Sequence, residues 1–126
     1  MPNDVQRAAK ELLRFALDLP EAWEDHPWGE TVAKVRKRVF VFMGHPEHDQ
    51  EDLVFSVKLP ESGIDLLDRP EAEPTGYGLG KHGWVSVRYA PGSVPPVGEM
   101  CAWIEESYRS VAPKKLVQEL DEQGAG

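Results

Sequence analysis

The segment TVAKVRKRVFVFM, residues 31–43, contains two runs of β-branched and aromatic residues separated by consecutive cations. The runs at 31–35 and 39–43 predict two strands. Their short separation predicts an antiparallel hairpin with a basic tip, and the lack of Gly and Asn in the turn leaves its type open. The cations that form the tip are Arg36, Lys37 and Arg38.

Two segments farther along the chain alternate in the way that half-buried strands do. In residues 53–59 every odd-numbered position is apolar, and in residues 83–89 the odd-numbered positions from 85 onward are apolar. The opposite face of the first strand carries Lys58, and that of the second carries Trp84 and Arg88. If the two strands are neighbours, these three side chains share the open face of a sheet.

Apolar residues recur at steps of three and four near both ends of the chain. The stripes predict amphipathic helices over residues 4–19 and 97–111. Pro20 ends the first helix, and Pro113 suits the first turn of a short last helix. The tail at about 122–126 is expected to fray and to be disordered.

The remaining segments carry weaker signals. Residues 62–67 predict a short helix with Ile64 and Leu67 facing inward. Residues 20–29 and 69–82 are rich in Pro and Gly and are predicted to be loops without regular structure.

The order of these elements predicts one α+β domain over residues 1–126. Strands clustered between terminal helices are typical of a two-layer sandwich, in which an antiparallel sheet carries the N- and C-terminal helices on one face. The chain has 126 residues, which is the length of one ordinary domain. No internal repeat or low-complexity segment is present.

Composition excludes several classes of protein. With 14 Lys and Arg against 22 Asp and Glu, the net charge is −8, which disfavours a histone-like coat of positive charge. The single Cys excludes an intrachain disulfide and a cysteine-rich zinc site. The longest apolar run, 39–43, is too short to span a bilayer, and the N-terminus lacks the apolar core of a secretory signal. We therefore expect a cytoplasmic protein with no membrane partner.

Five segments together resemble the MmcQ/YjbR family, and they follow one another over nearly the whole chain. The family's His-Trp pair corresponds here to His82-Gly83-Trp84, with one inserted Gly. The resemblance implies a small bacterial protein with a CyaY-like (frataxin-like) fold, from a family usually described as candidate DNA-binding proteins. The segments are PEAWEDHPWGE (20–30), KVRKRVFVF (34–42), FSVKLP (55–60), YGLGKHGWVSVRY (77–89) and SYRSVAPKKL (107–116).

A group of cations and one aromatic residue forms the candidate nucleic-acid site. Cations displace counterions from phosphates, and an aromatic ring can stack on a base. The opposing interpretation is an ordinary solvated strand face, on which Lys and Arg discourage pairing between sheet edges. The candidate residues are Lys34, Arg36, Lys37, Arg38, Lys58, Lys81, His82, Trp84 and Arg88.

Metal ligands are sparse. His45, His48 and Asp49 lie close together in the loop 44–52, but a zinc site needs three or four convergent ligands. A solvated loop is the favoured interpretation. The acidic residues invite an iron site only by analogy with frataxins, and no metal or other cofactor is predicted.

Several side chains are assigned to packing rather than to chemistry. Cys101 and Tyr108 fall on the apolar stripe of the second long helix, so both are expected to be buried. Trp23 and Trp28 bracket the loop 20–29 and are expected to pin it to the body of the protein.

The leading functional interpretation is a non-enzymatic DNA-binding module with weak, sequence-independent contacts. No G-x-S-x-G, H-E-x-x-H or phosphate-loop pattern is present, so an enzyme is not expected. The acidity favours instead a protein-interaction or chaperone-like adaptor with a protein partner. A third alternative is a small-molecule or metal binder at the glycine-rich stretch 76–84 or at the loop histidines. The oligomeric state is left open.

Overall fold

The structure, a computed structural model, describes residues 4–27, 30–44, 51–76 and 79–125. Its elements are α1 (Asp4–Leu17), β1 (Ala22–Asp25), β2 (Thr31–Val35), β3 (Arg38–Met43), β4 (Leu53–Lys58), α2 (Gly63–Leu66), β5 (Ala72–Pro74), β6 (Trp84–Tyr89), α3 (Val97–Val111) and α4 (Lys114–Ala125). A 3-10 turn at Leu79–His82 precedes β6.

The strands form one sheet in the order β1-β2-β3-β4-β6-β5, and every neighbouring pair is antiparallel. Helices α1 and α3 pack against each other and against one face of this sheet. The predicted α+β fold, with terminal helices on one face of an antiparallel sheet, is confirmed. The other face, which we call the open face, carries the alternate side chains of each strand.

The core lies between the sheet and the helices. Leu12 of α1 and Ile104 of α3 are fully buried in one cluster with the inward side chains of the sheet. Phe55 and Val87 are neighbours in the β4–β6 register, and both point into this layer. Burial of each such side chain stabilises the fold by roughly 1.5–3 kcal/mol. The apolar faces of the alternating strands and of the helices therefore pack into one shared core.

Two short strands replace segments that the sequence analysis predicted to be loops. β1 lies within residues 20–29 and pairs with β2, and β5 lies within residues 69–82 and pairs with β6. Both are edge strands of three or four residues. A strand this short has too few positions to establish an alternating pattern, and it is defined only by hydrogen bonds to its neighbour.

The short helix α2 corrects the predicted inward positions. Ile64 and Leu67, both expected to face inward, are 79% and 37% exposed, whereas Leu66 is buried. The Glu106 carboxylate accepts hydrogen bonds from the backbone N–H groups of Glu61 and Ser62 and from the Ser62 hydroxyl. This anchor sets the rotation of the single turn, which the helical spacing alone did not reveal.

The ends of the long helices also differ slightly from expectation. α1 ends at Leu17 rather than at residue 19. α4 continues to Ala125, so most of the tail predicted to fray is helical, and Gly126 lies outside the described residues. None of the helices in the described ranges is long and apolar enough to cross a lipid bilayer.

Candidate functional site

The basic hairpin turns through two residues, Arg36 and Lys37, between the paired residues Val35 and Arg38. Arg36 has φ 57°, in the left-handed region that residues other than Gly seldom adopt. The indole Nε1 of Trp23 donates a hydrogen bond to the Arg36 carbonyl oxygen at 2.8 Å. The neighbouring strand β1 therefore supplies a contact that holds the turn.

Trp23 and Lys34 are cross-strand neighbours on β1 and β2. The Lys34 Nζ lies 5.2 Å from the centre of the Trp23 ring and 2.7 Å from a carboxylate oxygen of Asp25. The hydrogen bond from Lys34, with a second from the His26 backbone N–H, lowers the pKa of Asp25 below its usual value. Trp23 is nevertheless 44% exposed, so its ring is accessible beside the hairpin.

Strand register gathers most of the candidate cations at one end of the sheet. The turn between β2 and β3 lies at the same end as Lys58, because Val41 of β3 pairs with Val57 of β4. Lys58 pairs in turn with Trp84, the first residue of β6, and the 3-10 turn that contains Lys81 and His82 lies immediately before it. We call this group the hairpin end: Trp23, Lys34, Arg36, Lys37, Arg38, Lys58, Lys81 and His82.

Charge at the hairpin end is only partly neutralised. Lys34 is paired with Asp25, and the Arg36 Nε lies 3.4 Å from a carboxylate oxygen of Glu21. No described carboxylate pairs with the remaining cations of the group. These unpaired side chains, all exposed or half-buried, are Lys37, Arg38, Lys58 and Lys81.

Two of the predicted site residues do not join this surface. Trp84 is only 8% exposed, and its ring packs edge-to-face against Phe42 with the ring centres 5.4 Å apart. Arg88 lies toward the opposite end of β6, where its guanidinium is 3.0 Å from the Asp52 carboxylate. The expectation that Lys58, Trp84 and Arg88 share one face is confirmed by the β4–β6 register. The expectation that Trp84 is solvated there is corrected, because its ring is covered.

The aromatic residue at the hairpin end is one that the sequence analysis assigned to packing. The expectation that Trp23 pins the loop 20–29 is corrected: Trp23 lies in β1, its indole holds the hairpin turn, and the residue remains exposed. Trp28, for which the same role was expected, lies outside the described residues. Its place beside Lys34 follows from the β1–β2 register. No local signal in the segment 20–29 marks β1 as a strand, so the sequence alone did not connect Trp23 with the cations.

The metal-ligand candidates His45, His48 and Asp49 lie outside the described residues. Within residues 4–27, 30–44, 51–76 and 79–125, no group of three His, Cys, Asp or Glu side chains is placed to hold a metal ion. His26 contacts the Glu24 carboxylate, with its Nε2 2.7 Å away.

Cys101 and Tyr108, the two packing candidates on α3, differ in burial. Tyr108 is fully buried and donates its hydroxyl hydrogen bond to the Pro20 carbonyl at 2.7 Å. Cys101 is half-buried rather than buried. Its partial burial, with a smaller effect of the Glu11 charge, raises its pKa above the usual value. The expectation of full burial is corrected because Cys101 lies at the border of the apolar stripe.

The YjbR family model matches residues 17–110, which run from the end of α1 to the last turn of α3. The chain belongs to the YjbR family. The resemblance noted in the sequence is thereby confirmed, and the matched range of this YjbR-family protein contains every cation of the hairpin end.

Two solved structures share the fold. A Deinococcus radiodurans protein with a DUF419 domain is 23% identical, with 91% of this chain and 85% of that chain covered and a TM-score of 0.69. A Pseudomonas syringae protein is 20% identical, with 80% of this chain and 96% of that chain covered and a TM-score of 0.58. At these identities the likeness shows the fold alone. No curated protein matches the chain.

Proposed function

We propose that this YjbR-family protein is a non-enzymatic nucleic-acid-binding module that uses the hairpin end. The observation that carries the proposal is the exposed Trp23 ring, which lies against Lys34 and is hydrogen-bonded to the carbonyl of Arg36. An accessible aromatic ring among cations is the combination with which proteins bind single strands, because the cations contact phosphates while the ring stacks on a base.

The expected binding is weak and independent of sequence. The unpaired cations can contact phosphates, but nothing at the hairpin end reads the edges of bases, and phosphate contacts position a nucleic acid without specifying it. The whole chain carries −8, so its average field repels DNA. A few phosphate contacts are consistent with a dissociation constant of about 10⁻⁴ to 10⁻⁶ M at physiological salt.

The exposed Trp23 ring predicts that the protein prefers single strands to duplexes. Stacking of a base on an aromatic side chain contributes roughly 1–3 kcal/mol, and it requires a base that is not already stacked within a duplex. Single strands are therefore expected to bind more tightly than a duplex of the same length.

Fluorescence anisotropy with a labelled single strand and its duplex, over a series of salt concentrations, tests this proposal. The decisive variant combines Arg36→Ala, Lys37→Ala and Arg38→Ala. Its matched control combines Lys10→Ala, Lys114→Ala and Lys115→Ala, which removes three exposed cations from α1 and α4 and changes the net charge equally. Loss of three phosphate contacts should lower the salt slope for single strands by about 2, whereas the control should bind nearly as the wild type does.

A third variant, Trp23→Leu, removes the aromatic ring and its hydrogen bond to the Arg36 carbonyl but leaves every cation in the chain. It should weaken single-strand binding roughly 5- to 150-fold while the salt slope stays the same. If the wild-type protein binds neither nucleic acid at low salt, or if both triple variants lose affinity equally, binding at the hairpin end is refuted and a protein-interaction role becomes the better proposal.

A further inference from the structure

The open face of the sheet contains a cavity of about 470 Å³. This volume falls within the range of sites that bind small molecules. The cavity lies over the middle of the sheet and extends toward the end opposite to the hairpin. Its apolar lining includes Phe42, Val54 and Leu79, all of them half-buried.

Three hydroxyl groups form a continuous chain in the cavity wall. Ser56 and Ser86 are cross-strand neighbours on β4 and β6, and their Oγ atoms are 2.6 Å apart. The Ser86 Oγ is also 2.9 Å from the Oγ1 of Thr75, the residue after β5. All three residues line the cavity.

A count of protons shows that the three linked hydroxyl groups can donate one further hydrogen bond. Each hydroxyl carries one proton and two lone pairs, and two contacts between three hydroxyls use two of the three protons. No other described residue accepts the third proton. The chain therefore presents one O–H donor, together with unused lone pairs, to whatever occupies the cavity.

The charge of the lining restricts the ligand further. Glu30 is the one titratable residue in the described lining, whereas the unpaired cations lie at the hairpin end. Among the described lining residues an anion would meet a carboxylate and no compensating cation, so phosphates and carboxylates are disfavoured. The lining is suited to an uncharged or cationic molecule.

We propose that this cavity binds an uncharged or cationic aromatic small molecule that carries a carbonyl or another hydrogen-bond acceptor. The aromatic part packs against Phe42, Val54 and Leu79. The acceptor takes the free hydroxyl proton of the chain formed by Ser56, Ser86 and Thr75. This site is separate from the hairpin end and does not depend on nucleic-acid binding.

The probe for the test is 6-propionyl-2-(dimethylamino)naphthalene, an uncharged aromatic ketone whose emission shifts to the blue in apolar surroundings. The wild-type protein should bind it saturably at one site per chain. The anionic probe 1-anilinonaphthalene-8-sulfonate should bind at least tenfold more weakly. The variant with Arg36→Ala, Lys37→Ala and Arg38→Ala should bind the ketone as the wild type does, which distinguishes this site from the nucleic-acid surface.

Two variants locate the ketone in the cavity. Val54→Trp fills it and should lower affinity at least tenfold. The triple variant Ser56→Ala, Thr75→Val and Ser86→Ala removes all three hydroxyls and with them the available proton, and loss of about one hydrogen bond should weaken binding about 2- to 10-fold. Ser110→Ala on α3 is the control and should leave binding unchanged.

The outcome is decided even if Val54→Trp fails to fold, because the triple hydroxyl variant removes a few atoms only and its thermal transition can be compared with that of the wild type. Unchanged ketone affinity in the triple hydroxyl variant would overturn the assignment of the acceptor. Equal affinity for the anionic probe, displaced competitively by the ketone, would overturn the charge argument and with it the proposal.

Discussion

A Glu21 carboxylate oxygen lies 3.4 Å from the Nε of Arg36, and both residues have the unusual φ of 57°. A left-handed backbone costs roughly 1–2 kcal/mol for a residue other than Gly. The left-handed conformation occurs at Glu21, just before β1, and at Arg36, in the β2–β3 turn. The side chains of these two residues contact each other. Uncommon backbone geometry at a surface that carries unpaired cations is consistent with a functional role for the hairpin end.

Removal of the Glu21 charge should strengthen nucleic-acid binding. Glu21→Gln releases Arg36 from its ion pair and removes an acid that repels phosphate, so affinity for a single strand should rise roughly 2- to 5-fold at low salt. Both partners are 53% exposed, and exposed pairs contribute about 0–1 kcal/mol to stability, so the unfolding transition should move little. Anisotropy and urea unfolding measure the two effects.

The control for this change is Glu99→Gln. Glu99 pairs with Arg69 in another exposed ion pair, so the substitution changes the net charge equally at a place away from the hairpin. If Glu99→Gln raises affinity as much as Glu21→Gln does, the effect comes from total charge, and Arg36 is not a phosphate contact.

Ser107 should be among the most sensitive polar positions of the fold. It is fully buried; its Oγ donates to the Phe40 carbonyl at 2.6 Å and accepts from the Lys58 backbone N–H at 2.9 Å. Ser107→Ala leaves both backbone groups without this partner, which should lower the free energy of unfolding by roughly 1–3 kcal/mol. Ser110→Ala, which removes only a local bond to the Ser107 carbonyl, should cost less. Equal losses in urea unfolding would contradict this role.

Two tyrosines should respond oppositely to loss of their hydroxyl groups. The Tyr108 hydroxyl donates to the Pro20 carbonyl, whereas the buried Tyr89 hydroxyl has no hydrogen-bond partner among the described residues. Tyr108→Phe should therefore destabilise the protein by about 1–2 kcal/mol, and Tyr89→Phe should be neutral or stabilising. Thermal unfolding of both variants decides the point, and a destabilisation from Tyr89→Phe would show that this hydroxyl has a partner in solution.

The same tyrosines predict the alkaline limit of the fold. Burial raises the pKa of Tyr89 and of Tyr108 from 10.0 to about 12. Because each native pKa is raised, the stability they contribute is fully present below pH 10 and is lost as the pH rises toward 12. Urea unfolding between pH 9 and 12 should show this decline, and the double Phe variant should show a smaller one.

The reactivity of Cys101 should be intermediate. Its half-buried thiol should react with a thiol reagent without global unfolding, but more slowly than in the unfolded chain, because its pKa is raised by partial burial and by Glu11. The thiolate is the reacting form, so Glu11→Gln should speed native labelling at pH 8. Labelling at the unfolded rate, or only on the timescale of global unfolding, would refute this prediction.

The spacing of apolar residues predicted the secondary structure where one face of a strand or helix is buried. The alternation in residues 53–58 and 84–89 predicted which side chains of β4 and β6 enter the core, because only one face of each strand joins the buried cluster. The stripes of both long helices were predictable for the same reason. The edge strands β1 and β5 were not, since three or four residues at a sheet edge show no such period.

The candidate site also has a part that the sequence predicted and a part that only the structure revealed. The sequence by itself determined the hairpin, its cations and the residues that fill the core, because charge and periodicity are local properties of the chain. Only the tertiary structure decided that Trp23 is exposed beside Lys34 and that Trp84 is buried against Phe42. The exposure of an aromatic ring depends on which strand pairs with its own and what covers that face, and these contacts join residues that are distant in the sequence.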